Sequence, residues 1–243
     1  MTKTAGPCAA AVIGVLLFLS APNALFADDC GRVLGVLKEA ERRLGTLRDY
    51  TLKIERQERV KGKLSPPETM FVKWRRPFSV YIKTISGKHK DREIIYVRGK
   101  NNDKMIVSPG GLLGGLTVKI SPDSVLAKKD SRHTITEAGL PAVIARMIST
   151  IQDEKKEKGC PIEVSYAGEE SRSPEKVICL RIKNSGYAPR TDIELWAESL
   201  LPYSIISYDT DGSLLESYTY RDIKTNVGLT DADFDPTNPD YRF

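Results

Sequence analysis

Met70-Phe71-Val72-Lys73-Trp74-Arg75-Arg76-Pro77 alternates with a period of two. Met70, Val72 and Trp74 fall on one side, Phe71, Lys73 and Arg75 on the other, which is the pattern of a strand and not of a helix. Pro77 has no N–H to give, so the ladder stops there. Working outward, the same period recurs. Tyr50, Leu52 and Ile54 alternate with Thr51, Lys53 and Glu55 until Gly62 and Pro66-Pro67. Phe78 to Ile85 is a further strand, closed by Ser86-Gly87, and Arg92 to Arg98 another. Asn101-Asn102-Asp103 turns the chain into Lys104 to Ser108. A glycine-rich loop, Gly110 to Gly115, leads to Leu116 to Ile120. After Pro161 strands are expected near 162–168, 176–183, 191–198, 203–209 and 213–223, with Asp211-Gly212 as a hairpin turn.

Two segments break this period. In residues 31–48 Val33, Leu37, Ala40, Leu44 and Leu47 recur at spacings of three and four, with Arg32, Lys38, Glu41, Arg42 and Arg43 opposite. From Thr136 a second helix carries Leu140, Val143, Ile144, Met147, Ile148 and Ile151 as one stripe. Thr134 or Thr136 is its expected cap and Gly159-Cys160-Pro161 its stop. Successive strands with short turns predict an α+β fold. Its expected form is a half-open antiparallel β-barrel of about eleven strands with the helices packed on the concave face.

Composition narrows the function classes. At 243 residues, 40% hydrophobic and 28% charged, the chain is neither collagenous nor disordered. The net charge of +5 is spread through mixed-sign runs such as Lys88-His89-Lys90-Asp91-Arg92, so nothing argues for nucleic acid. Lys3, the apolar run Ala9 to Leu19 and a small residue before Asp28-Asp29 predict a signal peptide over 1–27. Leu25 stands where a small residue is preferred, and no lipobox is present. One domain over 28–243, exported to the periplasm or secreted and not membrane-spanning, is the expectation. Cys8 leaves with the signal; among Cys30, Cys160 and Cys179 one disulfide is possible and its pairing stays open.

No GxSxG, Walker loop, HExxH or CxxC occurs, and only His89 and His133 are available as imidazoles. Cys160 or Cys179 with His133 has nothing local to activate a thiol. Asp209-Thr210-Asp211-Gly212 lacks the later Glu of a calcium loop and reads as a turn. Asp231, Asp233 and Asp235 offer spaced carboxylates, but a tail held by Phe234 is the preferred reading. Leu112 and Leu113 make the glycine-rich loop either a plain hairpin loop or an apolar flap. The expectation is a non-enzyme with no cofactor and no metal.

Phe71 to Phe78, the hairpin Ile94-Ile95-Tyr96-Val97-Arg98-Gly99-Lys100 with Met105-Ile106-Val107, the helix around Leu140-Pro141-Ala142-Val143-Ile144-Ala145 and the closing Leu229 to Pro236 together resemble the LolA-like lipoprotein carriers. Val72 to Tyr81, Ile135-Thr136-Glu137-Ala138-Gly139 and Phe234 to Phe243 look more closely like the uncharacterised domain of unknown function 1571. The insert Lys128-Lys129-Asp130-Ser131-Arg132-His133 has no counterpart among the carriers. The resemblance implies a periplasmic protein sheltering a lipid or lipoprotein acyl chain between sheet and helices, with an envelope membrane protein as a further partner. It also implies a lid-holding arginine at Arg76, expected at a strand end near the rim. Candidate lining residues are Trp74, Tyr81, Ile95, Val97, Met105, Leu140, Val143, Ile144 and Met147. The alternative is an envelope sensor of the same fold with a protein partner; a hydrolase comes last.

Overall fold

Helix α1 runs from Leu25 to Thr46 and starts before the expected Gly31. Val33, Leu37, Ala40 and Leu44 are fully buried on its inner stripe, while Glu39 pairs with Arg42 and Arg43 on the exposed side. The computed structural model describes residues 25–111, 116–158, 163–172, 175–183 and 185–243, with the backbone alone for 25–29, 154–158 and 163–167. The expected signal peptide up to Ala24, the flap residues Leu112 to Gly115, Cys8 and Cys160 lie outside the described residues.

The strands are β1 (Asp49–Val60), β2 (Lys63–Leu64), β3 (Glu68–Arg75), β4 (Ser79–Ser86), β5 (Glu93–Val97), β6 (Met105–Ser108) and β7 (Val118–Ile120). After helix α2 (Leu140–Lys158) come β8 (Glu163–Arg172), β9 (Glu175–Lys183), β10 (Arg190–Trp196), β11 (Pro202–Tyr208) and β12 (Leu214–Thr225). The fold is an open antiparallel sheet, not closed into a barrel, in the order β7-β6-β5-β4-β3-β1-β12-β11-β10-β9-β8. The unforeseen strand β2 pairs only with β1, across a turn where Lys61 and Gly62 both have positive φ.

The described chain divides into two compact units. One holds α1 through Arg43, α2 from Ile144, and β8 to β11. There Ile193 faces Leu180 and Ile205, and Leu195 faces Ile178, giving one apolar side of the strands. On the other side Arg181 binds Asp192 at 2.6 Å, and Glu194 takes Arg172 and Ser204 at 2.6 Å each. Cys179 is buried there, 4.0 Å from the Glu194 carboxylate.

The other unit holds β1, the strands β2 to β7, the segment from Ser121 to Val143, β12 and the C-terminal segment. One expectation needs correction in it. Neither Thr134 nor Thr136 caps α2: Ile135–Glu137 forms a separate 3-10 turn without a side-chain cap, and the helix begins at Leu140. Strand β3 ends at Arg75, so Arg76 stands at a strand end as expected, and the Arg76–Pro77 peptide is cis. The backbone N–H of Arg76 reaches the Arg48 carbonyl at 2.9 Å.

Candidate functional site

Register alone builds an apolar track on one face of the second unit. Leu52 faces Val72, Val72 faces Ile82, Ile82 faces Ile94, Ile94 faces Val107 and Val107 faces Val118. One row of aliphatic side chains therefore crosses six strands. Tyr50, Trp74, Val80 and Tyr96 form a second row beside it, and Met105 facing Ile120 continues on β6 and β7. Leu52, Val72 and Val107 are buried, Ile82 and Ile94 are half-buried, and Val118 is exposed. The track thus opens towards the β7 edge.

The aromatic members are fixed by one another. Tyr50 stacks on Trp74 with centroids 5.1 Å apart, Phe78 meets Trp74 edge-on at 6.4 Å, and Tyr96 meets Phe78 edge-on at 5.7 Å. The Tyr50 hydroxyl accepts the Leu140 N–H at 2.8 Å, and burial pushes that phenol well up. Gly139 has φ +109°, and a Cβ on it would lie 2.7 Å from Trp74 Nε1 and 2.9 Å from the Tyr50 oxygen. The Trp74 indole N–H is buried beside Gly139 and meets no acceptor among the described residues.

The same face ends in charge on the far side. Arg56, Glu58, Glu68, Glu216 and Tyr218 occupy it, and Glu58, Glu68 and Glu216 are buried. The insert 128–133, unexplained by sequence, docks here. Asp130 binds Lys88 and His89, at 3.4 Å each. The Arg132 N–H donates to Glu58, and its guanidinium lies 3.3 Å from Glu216. His133 Nε2 is 2.9 Å from Glu216, and His89 Nδ1 is 2.7 Å from Glu68. Burial opposes charge on Glu68, but Arg56 and then His89 outweigh it and hold the carboxyl below its ordinary range. Burial and the neighbouring Glu58 and Glu216 push the Tyr218 phenol well up, so it donates to Glu58. Residues 130–140 therefore form a strap, tied at one end by ions and at the other by Tyr50.

Glu58, His133 and Glu216 place donor atoms within 4.8 Å of one another, as do Glu170, Cys179 and Glu194 in the other unit. Two guanidiniums, a phenol and a backbone N–H already serve the first set, and Arg172 with Ser204 the second. Their geometry is that of charge-balanced structural networks.

The candidate lining residues of the second unit do not share one face of the sheet. Trp74 and Met105 lie on the track face, and Leu140 meets it through Tyr50. Tyr81, Ile95 and Val97 point to the opposite face, because Tyr81 pairs with Lys73 and Ile95 and parity puts them opposite Trp74. There the C-terminal segment covers them. Phe234, Tyr241, Phe243 and Leu229 pack on Tyr81 and Ile95, and Tyr241 stacks on Tyr81 at 4.1 Å. Lys73 binds Asp233 at 2.7 Å and Arg75 binds Asp231, so Phe234 does hold the tail as expected. Val143 is half-buried at the start of α2, while Ile144 and Met147 are buried in the first unit. Arg76 is exposed and donates to the carbonyls of Leu47 at 2.8 Å and Leu44 at 3.4 Å, at the end of α1. Tyr50, Leu52, Val72, Ile82 and Ile94 were not singled out from sequence. The alternation of β1 and β3 carried that signal.

Comparison with solved structures gives distant likenesses. The crystal structure of Mycobacterium tuberculosis lipoprotein LppX matches with a TM-score of 0.51 at 11% identity, over 84% of this chain and 99% of that one. A LolA superfamily protein from Nitrosomonas europaea matches at 0.35 and 11% identity, over 83% and 96%. The MucA/MucB complex of Pseudomonas aeruginosa matches at 0.45 and 13% identity, over 85% of this chain and 60% of that one. The open antiparallel sheet with two helices is a fold shared with the LppX structure. No curated protein matches the chain. A family model described as "Protein of unknown function (DUF1571)" matches residues 47–243, and the chain belongs to that family.

Proposed function

We propose that this protein is an exported, periplasmic binding or carrier protein for a hydrophobic ligand, a lipid or a lipoprotein acyl chain. The observation that carries this is the row Leu52-Val72-Ile82-Ile94-Val107-Val118, continuous across six strands and half-open at Ile82 and Ile94. An ordinary core row would be closed at both members. An acyl chain lying along it covers them, and each buried methylene contributes about 0.8 kcal/mol. The strap 130–140 lies on the same face, and Arg76 fastens the last turn of α1 beside Trp74, with its guanidinium 5.9 Å from the ring. In this reading Arg76 governs how readily the ligand leaves.

Lys3 and the apolar run to Leu19 support export. No helix of the described residues is long and apolar enough to cross a membrane. No catalytic constellation enters the reading, and His133 and Cys179 are spoken for by Glu216 and Glu194. Native mass spectrometry of the purified protein, with displacement of a fluorescent fatty acid, tests it. Bound lipid and competition are expected. No bound lipid and no displacement at roughly tens of micromolar would sink the reading.

A further inference from the structure

Seven large apolar residues are exposed among the described residues, and four of them fall within residues 116–126. Leu116 is 60% exposed, Val118 45%, Val125 82% and Leu126 61%. Scattered single apolar residues are normal on a surface; four in one short segment are not. The segment lies at the sheet's edge, since β7 is the last strand, and it continues through the turn Ser121–Ser124. Lys119, Lys128 and Lys129 are exposed in the same stretch, and Lys104 lies at the start of the neighbouring β6. The single opposing acid between Leu116 and Lys129 is Asp123, which lies 3.4 Å from Lys128.

We propose that residues 116–129 are a docking surface for an anionic phospholipid bilayer. Apolar tips followed closely by Lys128 and Lys129 suit that partner on both counts, with Lys119 alternating to the side of β7 opposite Val118. Leu116, Val118, Val125 and Leu126 reach the acyl boundary while the lysine heads stay at the phosphates. Charge complementarity favours the bilayer over a second copy of this chain, which would bring the same lysines face to face. The strap presents the segment rigidly, because Asp130, Arg132 and His133, just beyond it, are tied to buried carboxylates and to Lys88. The apolar row also ends here, at Val118, so a docked bilayer would lie against the open end of the track.

Co-sedimentation with vesicles of equal parts phosphatidylethanolamine and phosphatidylglycerol, against phosphatidylcholine alone, decides the matter. Binding to the anionic vesicles alone is expected. Exchanging Lys128→Gln with Lys129→Gln should weaken it roughly fivefold for each lysine removed. Val125→Ser with Leu126→Ser should abolish it, while Val227→Ser, an exposed apolar residue elsewhere, leaves it unchanged. All these positions are exposed, and circular dichroism checks the fold. Binding indifferent to both rim pairs would overturn the proposal, as would no vesicle binding together with concentration-dependent self-association lost on Val125→Ser/Leu126→Ser. The proposal is separable from the ligand reading: vesicle binding without fatty-acid uptake leaves it standing, and uptake without vesicle binding does not rescue it.

Discussion

The Tyr50 hydroxyl accepts the Leu140 backbone N–H at 2.8 Å, so a side chain of the first strand caps the second helix. The N-terminal amides of a helix need partners, and neither threonine upstream supplies one. Tyr50→Phe keeps the stack on Trp74 and removes only the acceptor. We expect a loss of about 1–2 kcal/mol in denaturant unfolding. Faster hydrogen exchange at residues 138–142 should accompany it. An unchanged midpoint would show that water replaces the phenol at no cost.

Gly139→Ala should cost more than Tyr50→Phe. At φ +109° an alanine is strained, and its Cβ would meet Trp74 and Tyr50 below 3.0 Å. Strain of this kind is worth about 1–3 kcal/mol before any repacking. Thermal unfolding of both variants side by side gives the ranking.

Strand positions were legible in the sequence, and the pairing between strands was not. Alternation located β1 and β3 to β6 closely, because a period of two survives wherever one face is buried. It failed to say which face Tyr81 shares with Trp74. In β4, Ser79, Val80 and Tyr81 are all buried, since the track covers one side and the C-terminal segment the other. When both faces are covered, apolar residues stop reporting parity. The register is set by the three-residue turn Arg76-Pro77-Phe78, with Arg75 facing Ser79, which alternation does not reveal. The ionic end was hidden for a different reason. Glu58 and Glu216 look like solvent-facing acids until the insert 130–133 brings its cations to them.

Acid should release the C-terminal segment first. Arg75 holds the Asp231 carboxyl below its ordinary range. Burial opposes charge on Asp233, but Lys73 and Thr230 outweigh it, and this carboxyl is low too. Folded values lie below the unfolded value of about 3.9, so the stabilisation is complete above it and fades as pH falls through the lower folded values. Lys73→Met removes the main support of Asp233, and the release should move to higher pH. Exchange protection around Phe234 and Tyr241, followed against pH, reads this directly. No shift in the variant would contradict it.

Arg76 is exposed, yet it satisfies two carbonyls at the end of α1. Arg76→Leu should lower stability by only about 1 kcal/mol and speed ligand dissociation. Arg76→Lys should fall between, because an ammonium lacks the planar fork. Identical dissociation rates in all three would leave Arg76 a helix clasp with no part in release.

Ile94 and Val97 are both half-buried on β5, but parity points Ile94 to the track and Val97 to the face under the C-terminal segment. Fluorescent fatty-acid affinity of Ile94→Ser and Val97→Ser, measured side by side, asks whether the track is where the ligand lies. Ile94→Ser should weaken binding about tenfold, with Val97→Ser close to wild type. Equal effects, or a larger one at Val97, would contradict a ligand on the Leu52-to-Val118 row.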